Sequence, residues 1–303
     1  MNSADPKNLN LEALLKLRDQ NSNDKLNIKE IHAKMPPYYG FVPVGKLDLF
    51  MFLNGKDDGV ALKILWNKSY EPASLTLWKI LSKDMDLVID IGAHTGIYSI
   101  VAAKDSECKV ISLEPMALNI ARLVVNKIYN NLENISPMAA ACSHSSGQIL
   151  FNPFKNMEYL TSGNSLESIA SENIHAIETI TIDNLSKHLD KNTNLLVKVD
   201  VEGHEHHVLR GALETVTSLR PIFLLECIDK DAGNECTKIL NKYEYQYFNI
   251  NEENYSLTSS KHIYPELING KPNMGMLNKL IIPIEKVNRT LNLLKQSKQN
   301  KLF

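Results

Sequence analysis

The 303-residue chain carries 33 Lys and Arg against 35 Asp and Glu, a formal net charge of −2, without the basic excess that nucleic-acid phosphates select for. Its length suits one large α/β domain with an added segment, or two modest domains. The first ten residues lack the apolar core of a signal peptide, no apolar run reaches the roughly 20 residues that span a bilayer, and Cys108, Cys142, Cys227 and Cys236 show no C-x-x-C spacing, so a cytoplasmic protein with buried free thiols and no membrane span is expected.

Residues 1 to about 34 read as weakly helical. Leu11, Leu14, Leu15 and Leu17 make a short apolar face, and a polar linker follows at 20–25. Two short apolar runs, 47–53 and 60–65, then flank Asn54-Gly55-Lys56-Asp57-Asp58-Gly59, a turn composition that predicts a hairpin between them. From Tyr70 the pattern alternates regularly. Helices are predicted at 73–81, 95–103, 117–128, 204–213 and 232–241. Strands are predicted at 87–91, 110–113, 135–141, 194–201, 221–226, 245–250 and 277–282, with 148–151 as a hairpin partner. Strands alternating with helices imply βαβ units and a doubly wound α/β sheet. A basic, polar tail from Lys286 reads as a fraying surface helix. The resulting division is an accessory segment at 1–69, a main domain at 70–284 and a tail at 285–303.

The sharpest local feature is Val88-Ile89-Asp90-Ile91-Gly92-Ala93-His94-Thr95-Gly96. A strand enters a glycine-bearing turn and leaves as a helix, which is where doubly wound folds bind ligands. Gly92 permits close backbone approach, and Gly96 permits tight helix packing. The G-x-G-x-x-G dinucleotide pattern fails at His94, and no Gly-Lys-Ser/Thr closes a phosphate loop. Asp90 at the strand tip suits a ligand carrying a cationic amine and sulfonium better than one carrying phosphates. Glu114, at the tip of the next strand and followed by Pro115, has two oxygens able to accept from two ribose hydroxyls. The structural alternative is a tight turn with a capping aspartate.

Lys198-Val199-Asp200-Val201-Glu202-Gly203-His204-Glu205 is the second signal. A central parallel strand is normally apolar throughout, yet Lys198, Asp200 and Glu202 alternate with valines and so share one side. Buried charges are costly unless paired or used. Glu226 ends the next strand and falls nearby. The functional reading is an acidic pocket that holds a cationic donor and orients a hydroxyl; the structural one is an ion-pair network. His204, His206 and His207 with Glu202 and Glu205 invite a metal, but successive helix positions point apart, and no metal is expected.

These segments together resemble the FkbM family of S-adenosylmethionine-dependent methyltransferases. The resemblance runs through residues 88–99, Leu113-Glu114-Pro115 with Asn119 and Asn126, 141–147, 162–166, 179–183, 197–205 and Glu226. It implies a Rossmann-like class I methyltransferase sheet with an antiparallel last strand, S-adenosylmethionine as methyl donor, and O-methylation of a sugar, glycan or secondary metabolite. His144 departs from the family, which often has an acidic residue there, in the segment that would edge the adenine. The candidate donor-binding residues are Glu71, Asp90, Gly92, Ala93, Thr95, Gly96, Glu114, Pro115, Asn119, Ala141 and Asp200. The candidate catalytic residues are Asp200, Glu202, His204 and Glu226, with His204 favoured as base because an imidazole titrates at about 6.5. A small-molecule or glycan acceptor is expected, with no nucleic acid and with homo-oligomerisation left open. The rival readings are a protein or nucleobase acceptor, or a binding module without catalysis. The nucleobase reading lacks an Asn/Asp-Pro-Pro-Tyr segment after the fourth strand, since Met35-Pro36-Pro37-Tyr38 lies too early and begins with Met.

Overall fold

A computed structural model describes residues 11–21, 26–151 and 175–296. The family-like segment at 162–166 lies outside these residues. Two helices open the chain, α1 (Leu11–Asn21) and α2 (Ile28–Lys34), the second closed by a capping box between Asn27 and Glu30. Then β1 (Tyr38–Pro43) pairs antiparallel with β2 (Phe50–Gly55), Tyr38 opposite Gly55.

The expected hairpin is therefore present but shifted. The run at 60–65 is not its second strand; it lies in α3 (Gly59–Asn67). The reason is local. Asp58 Oδ1 accepts from the backbone N–H of Val60 at 2.8 Å and of Ala61 at 3.0 Å, which starts a helix. A short run apolar on every side carries no period that separates helix from strand.

The main sheet follows after α4 (Pro72–Ser82). Its elements are β3 (Leu87–Ile91), α5 (Ile97–Ala103), β4 (Lys109–Leu113), α6 (Ala117–Tyr129) and β5 (Ile135–Met138). The strand expected at 135–141 ends early. Ala140 N–H turns back to Met138 O at 2.9 Å, and β6 (Ala141–Cys142) joins a separate three-stranded sheet with β7 (Gly147–Phe151) and β8 (His175–Ile180). The strand at 148–151 accordingly pairs with β8, downstream of it.

After the short α7 (Ile182–Ser186) come β9 (Leu195–Val199), α8 (Glu205–Arg210), α9 (Leu213–Ser218) and β10 (Ile222–Glu226). The single helix expected at 204–213 is broken at Gly211, where an added Cβ would lie 2.2 Å from Ser143 O. The chain ends through α10 (Lys230–Leu240), β11 (Tyr245–Ile250), β12 (Leu257–Ser260), a two-residue ribbon of β13 (Leu267–Ile268) and β14 (Lys271–Pro272), β15 (Asn278–Pro283) and α11 (Val287–Gln296).

The eight-stranded sheet has the order β12-β11-β15-β10-β9-β3-β4-β5. Strands β5, β4, β3, β9 and β10 run parallel, and β15 is antiparallel to both β10 and β11. The expected Rossmann-like α/β sheet with an antiparallel last strand is what forms. Connections leave β3 toward β4 on one side while β9 lies on the other, so the switch point falls between β3 and β9.

The core is two apolar layers on the two faces of the sheet. One joins Val88, Leu196 and Leu280 to α4, α5 and the N-terminal residues Leu14, Ile31, Met51 and Trp66. The other joins Ile89, Val197 and Phe223 to Val208, Val216 and Leu240. The tail differs from expectation: Val287, Thr290 and Leu294, at i, i+3 and i+7, are buried, and α11 packs on α4. A buried stripe holds this helix down, so it is no loose surface segment.

Candidate active site

One cavity of about 480 Å³ opens at the carboxyl ends of β3, β4 and β9, within the range of small-molecule sites. Its two halves are built differently. On one side stand the β3–α5 loop and the β4 tip, with Asp90, Gly92, Ala93, Glu114, Pro115 and Asn119, closed by Ala141 and Cys142. On the other stand Lys198, Asp200, Glu202 and Glu226, faced by α3 and the segment around Leu277. Glu71 is also on the wall, bonded to Asn278.

Asp90 is 1% exposed, and its Oδ2 accepts from Ser99 Oγ at 2.6 Å. Burial pushes its carboxyl up to about 6, against the Ser99 hydrogen bond and the nearby Lys198 charge. Asp90 and Lys198 are register partners on adjacent parallel strands, so both charges project from the same side of the sheet. Gly92 has φ +76°, and a Cβ there would fall 1.7 Å from Asp200 O. Its smallness therefore lets β3 and the β9 tip close on each other, beyond any approach to a ligand. Glu114 is buried, which raises its carboxyl. Its Oε2 accepts from His94 N–H at 2.9 Å, and its Oε1 from Met116 N–H at 2.8 Å and Asn119 Nδ2 at 3.3 Å. Oε1 thus accepts twice already, and Oε2 keeps one lone pair to offer.

Two proposed donor residues stand behind the wall. Thr95 is fully buried, its carbonyl accepting from Asn126 Nδ2 at 2.8 Å. Gly96 has φ +94°, and its Cβ position is filled by Leu123 at 2.7 Å. Both shape the loop, and neither faces the cavity. Asn126 also accepts from Phe52 N–H at 2.7 Å, tying β2 to the glycine loop. His144 is exposed and absent from the lining; Ala141 and Cys142 hold that position.

On the acidic side, Lys198 Nζ donates to Asp200 Oδ2 at 3.1 Å and to Asn278 Oδ1 at 3.4 Å. Burial opposes ionisation of Asp200, but the Lys198 ammonium and a hydrogen bond from Glu226 outweigh it and hold the carboxyl below its ordinary value. Burial and the Asp200 charge push Glu226 well up, the opposite direction to Asp200. Glu202, held at φ +54°, is pushed up to about 8 by burial and then by the charges of Asp200 and Glu205. Oxygens of Asp200, Glu202 and Glu226 lie within 4.8 Å of one another, and the Lys198 ammonium already supplies a cation there. The histidines do not join them.

His204 is the main correction to the site. It is 3% exposed, does not line the cavity, has Nε2 2.9 Å from Ser143 Oγ, and stacks on His207 with ring centroids 4.4 Å apart. The left-handed turn at Glu202 and Gly203 (φ +105°) swings Glu202 toward the cavity and His204 behind it. Strand alternation extended past Val199 could not show this turn.

Glu71, a named donor candidate, lines the cavity, and Tyr98 and Glu252, which the sequence does not single out, join it there. Glu71 sits at φ +37° before Pro72 at the start of α4, and accepts from Tyr98 OH and from Asn278 Nδ2 at 3.0 Å. Tyr98 also takes the Lys198 ammonium over its ring at 4.9 Å. Glu252 caps α4, accepting from Ala73 N–H at 2.8 Å, and burial pushes it up to about 7. The available hints were a glutamate before a helix-starting proline and a tyrosine beside the glycine loop.

A hexuronic acid methyltransferase from Haloferax volcanii is 28% identical over 164 residues, covering 53% of this chain and 64% of that protein. This chain thus spans less than two thirds of the relative's length. Similarity to solved structures is distant. A methyltransferase FkbM from Methylobacillus flagellatus has TM-score 0.43 at 16% identity, covering 65% of this chain and 44% of that one. An S-adenosylmethionine-dependent O-methyltransferase from Thermotoga maritima has TM-score 0.37 at 12% identity, covering 69% of this chain and 63% of that one. The family model described as the methyltransferase FkbM domain matches residues 90–263, more than half of the chain, and the protein belongs to that family.

Proposed function

We propose that the protein is an S-adenosylmethionine-dependent O-methyltransferase acting on a hydroxyl of a sugar or glycan, with secondary metabolites as the wider class. The observation that carries this reading is one cavity lined both by a nucleoside-type set, Asp90 to Ala141, and by a carboxylate set, Asp200, Glu202 and Glu226. The hexuronic acid methyltransferase relative supports a sugar acceptor. On this reading residues 70–284 carry the chemistry, and 1–69 lend α3 to the acceptor wall.

The donor half fits the donor. Glu114 retains acceptor capacity at Oε2 for a ribose hydroxyl, and Ala141 and Cys142 offer an apolar flank for a base. Asp90 and Glu71 offer carboxylates to an ammonium and a sulfonium. S-adenosylmethionine, when bound, supplies an electrophilic methyl carbon whose bonding pair leaves on sulfur as the hydroxyl oxygen takes its place.

The protein's part is alignment and proton removal. Asp200, kept ionised by Lys198, accepts a hydrogen bond from the hydroxyl and aims its oxygen. Glu202 takes the proton. A carboxyl near 8 is a stronger base than an ordinary glutamate, matched to neutral or mildly alkaline pH. Glu226, protonated, steadies Asp200. No metal is required in this scheme.

Incubation with methyl-labelled S-adenosylmethionine and a panel of neutral and acidic glycosides tests the reading. Label in a base-stable methyl ether on a sugar is the expected result. Label in a base-labile ester, in protein or in a nucleobase, or no turnover beside tight donor binding, would contradict it.

A further inference from the structure

The methyl-transfer chemistry leaves one wall of the cavity unused. Helix α3 is apolar and mostly buried, through Ala61, Leu62, Ile64, Leu65 and Trp66. Val60, Lys63 and Asn67 follow the i, i+3, i+7 spacing of one helix face, and all three line the cavity. Lys63 is the charged residue of the helix. The cavity's other lysine, Lys198, is buried and paired with Asp200. The Lys63 ammonium instead lies over the face of Tyr70, 5.4 Å from the ring centroid. Among the described residues it forms no ion pair, although the cavity walls carry Glu71, Asp200, Glu202, Glu226 and Glu252. Asn67 is engaged elsewhere, exchanging hydrogen bonds of 3.0 and 2.8 Å with the backbone of Leu26, and so fixes the end of α3.

An anionic ligand entering acidic walls is repelled unless a cation receives it. An ammonium set on a rigid helix, backed by an aromatic face and unspent on any neighbouring carboxylate, is such a receiver. We infer that Lys63 binds a carboxylate of the acceptor, so that the preferred acceptor is an acidic sugar rather than its neutral counterpart. This rests on the sugar O-methyltransferase reading above. The same ammonium chemistry would serve the donor's own carboxylate. The donor half is built on the β3 and β4 tips with Glu71, whereas Lys63 lies on the accessory helix with Val60 and Asn67, and binding measurements distinguish the two carboxylates.

The test compares 4-nitrophenyl β-D-glucuronide with 4-nitrophenyl β-D-glucoside, which differ in a carboxylate against a hydroxymethyl group at C6. Each is assayed with wild type, Lys63→Met and Lys63→Arg. Wild type is expected to favour the glucuronide in kcat/KM. Lys63→Met should cut that preference about ten- to hundredfold, as expected when a charged hydrogen bond is lost, chiefly through KM. Lys63→Arg should retain most of it. By calorimetry, glucuronide binding should weaken in Lys63→Met while S-adenosylhomocysteine binding stays within about threefold of wild type. An unchanged preference in Lys63→Met overturns the inference alone. Loss of S-adenosylhomocysteine affinity in step with activity also overturns it, assigning Lys63 to the donor. Transfer to neither glycoside by wild type overturns the sugar reading, and the inference with it.

Discussion

The two halves of the cavity are made of different material. The half proposed for the donor comes from two adjacent strand tips and the loops that follow them, residues 90–94 and 113–119, joined by backbone hydrogen bonds such as Gly92 N–H to Leu113 O at 3.0 Å. The half proposed for the acceptor is gathered from α3, the tips of β9 and β10, the turn after β11 and the approach to β15. Burial and one lysine shift its carboxyls in opposite directions. The first half is a short-range device that sequence can encode in a motif. The second exists only once segments some 200 residues apart have met, as Glu71 and Asn278 do.

The largest effect that sharpens this contrast is at Gly92. Gly92→Ala places a Cβ against Asp200 O at 1.7 Å, and at φ +76°, so both halves should suffer at once. A loss of more than about 2 kcal/mol in unfolding free energy is expected, from backbone strain plus overpacking, together with donor binding too weak to measure by calorimetry. Retained stability and affinity would show that the halves do not meet there.

Glu114→Ala acts on the donor half alone. Donor affinity should fall by about 1.5–3 kcal/mol, the range for hydrogen bonds to charged groups, while the pH dependence of turnover keeps its shape. A shifted pH profile would argue that Glu114 is coupled to the proton-taking carboxyls.

Protonation separates the halves by stability. The Glu202 carboxyl is raised from an ordinary 4.5 to about 8. Its contribution to folding is therefore fully present below about 4.5 and lost as pH rises through about 8. In the ligand-free protein, Glu202→Gln should match wild type near pH 4.5 and gain on it by roughly 1 kcal/mol per pH unit toward pH 8, as a stability ceiling. Chemical denaturation at several pH values measures this, and a gain that grows toward acid would refute the assignment.

The smallest effect is expected at His204. With its ring behind the cavity and bonded to Ser143, His204→Asn should cost about 1 kcal/mol of stability and leave turnover within about threefold of wild type at any pH where the fold holds. A hundredfold loss of turnover would return His204 to the chemistry.

The architecture was legible because its carriers are periodic. Apolar strands at 87–91 and 222–226 and the glycine turn after Ile91 need no distant partner to declare themselves. The place of Asp90, Gly92 and Glu114 on the cavity wall followed from strand tips alone. The failures have local causes. At 60–65 the apolar run fits both periods, and only the Asp58 cap decides for helix. At 202–204 two consecutive positive-φ residues end the alternation that placed His204 at the crevice. Thr95 and Gly96 belong to the motif yet serve packing, a distinction that depends on Leu123 and Asn126 arriving from α6. Lys63 and Asn278 carry no motif at all, since their roles follow from which segments surround the cavity.

Glu202 separates the two halves most directly, and Glu202→Gln assayed for both binding and turnover is the deciding measurement. The account predicts S-adenosylhomocysteine affinity within about threefold of wild type and turnover at saturating donor and acceptor lowered about 100-fold or more, the usual worth of a general base. Turnover near the wild-type level in a folded variant, or a loss of donor affinity as large as the loss of turnover, would contradict it.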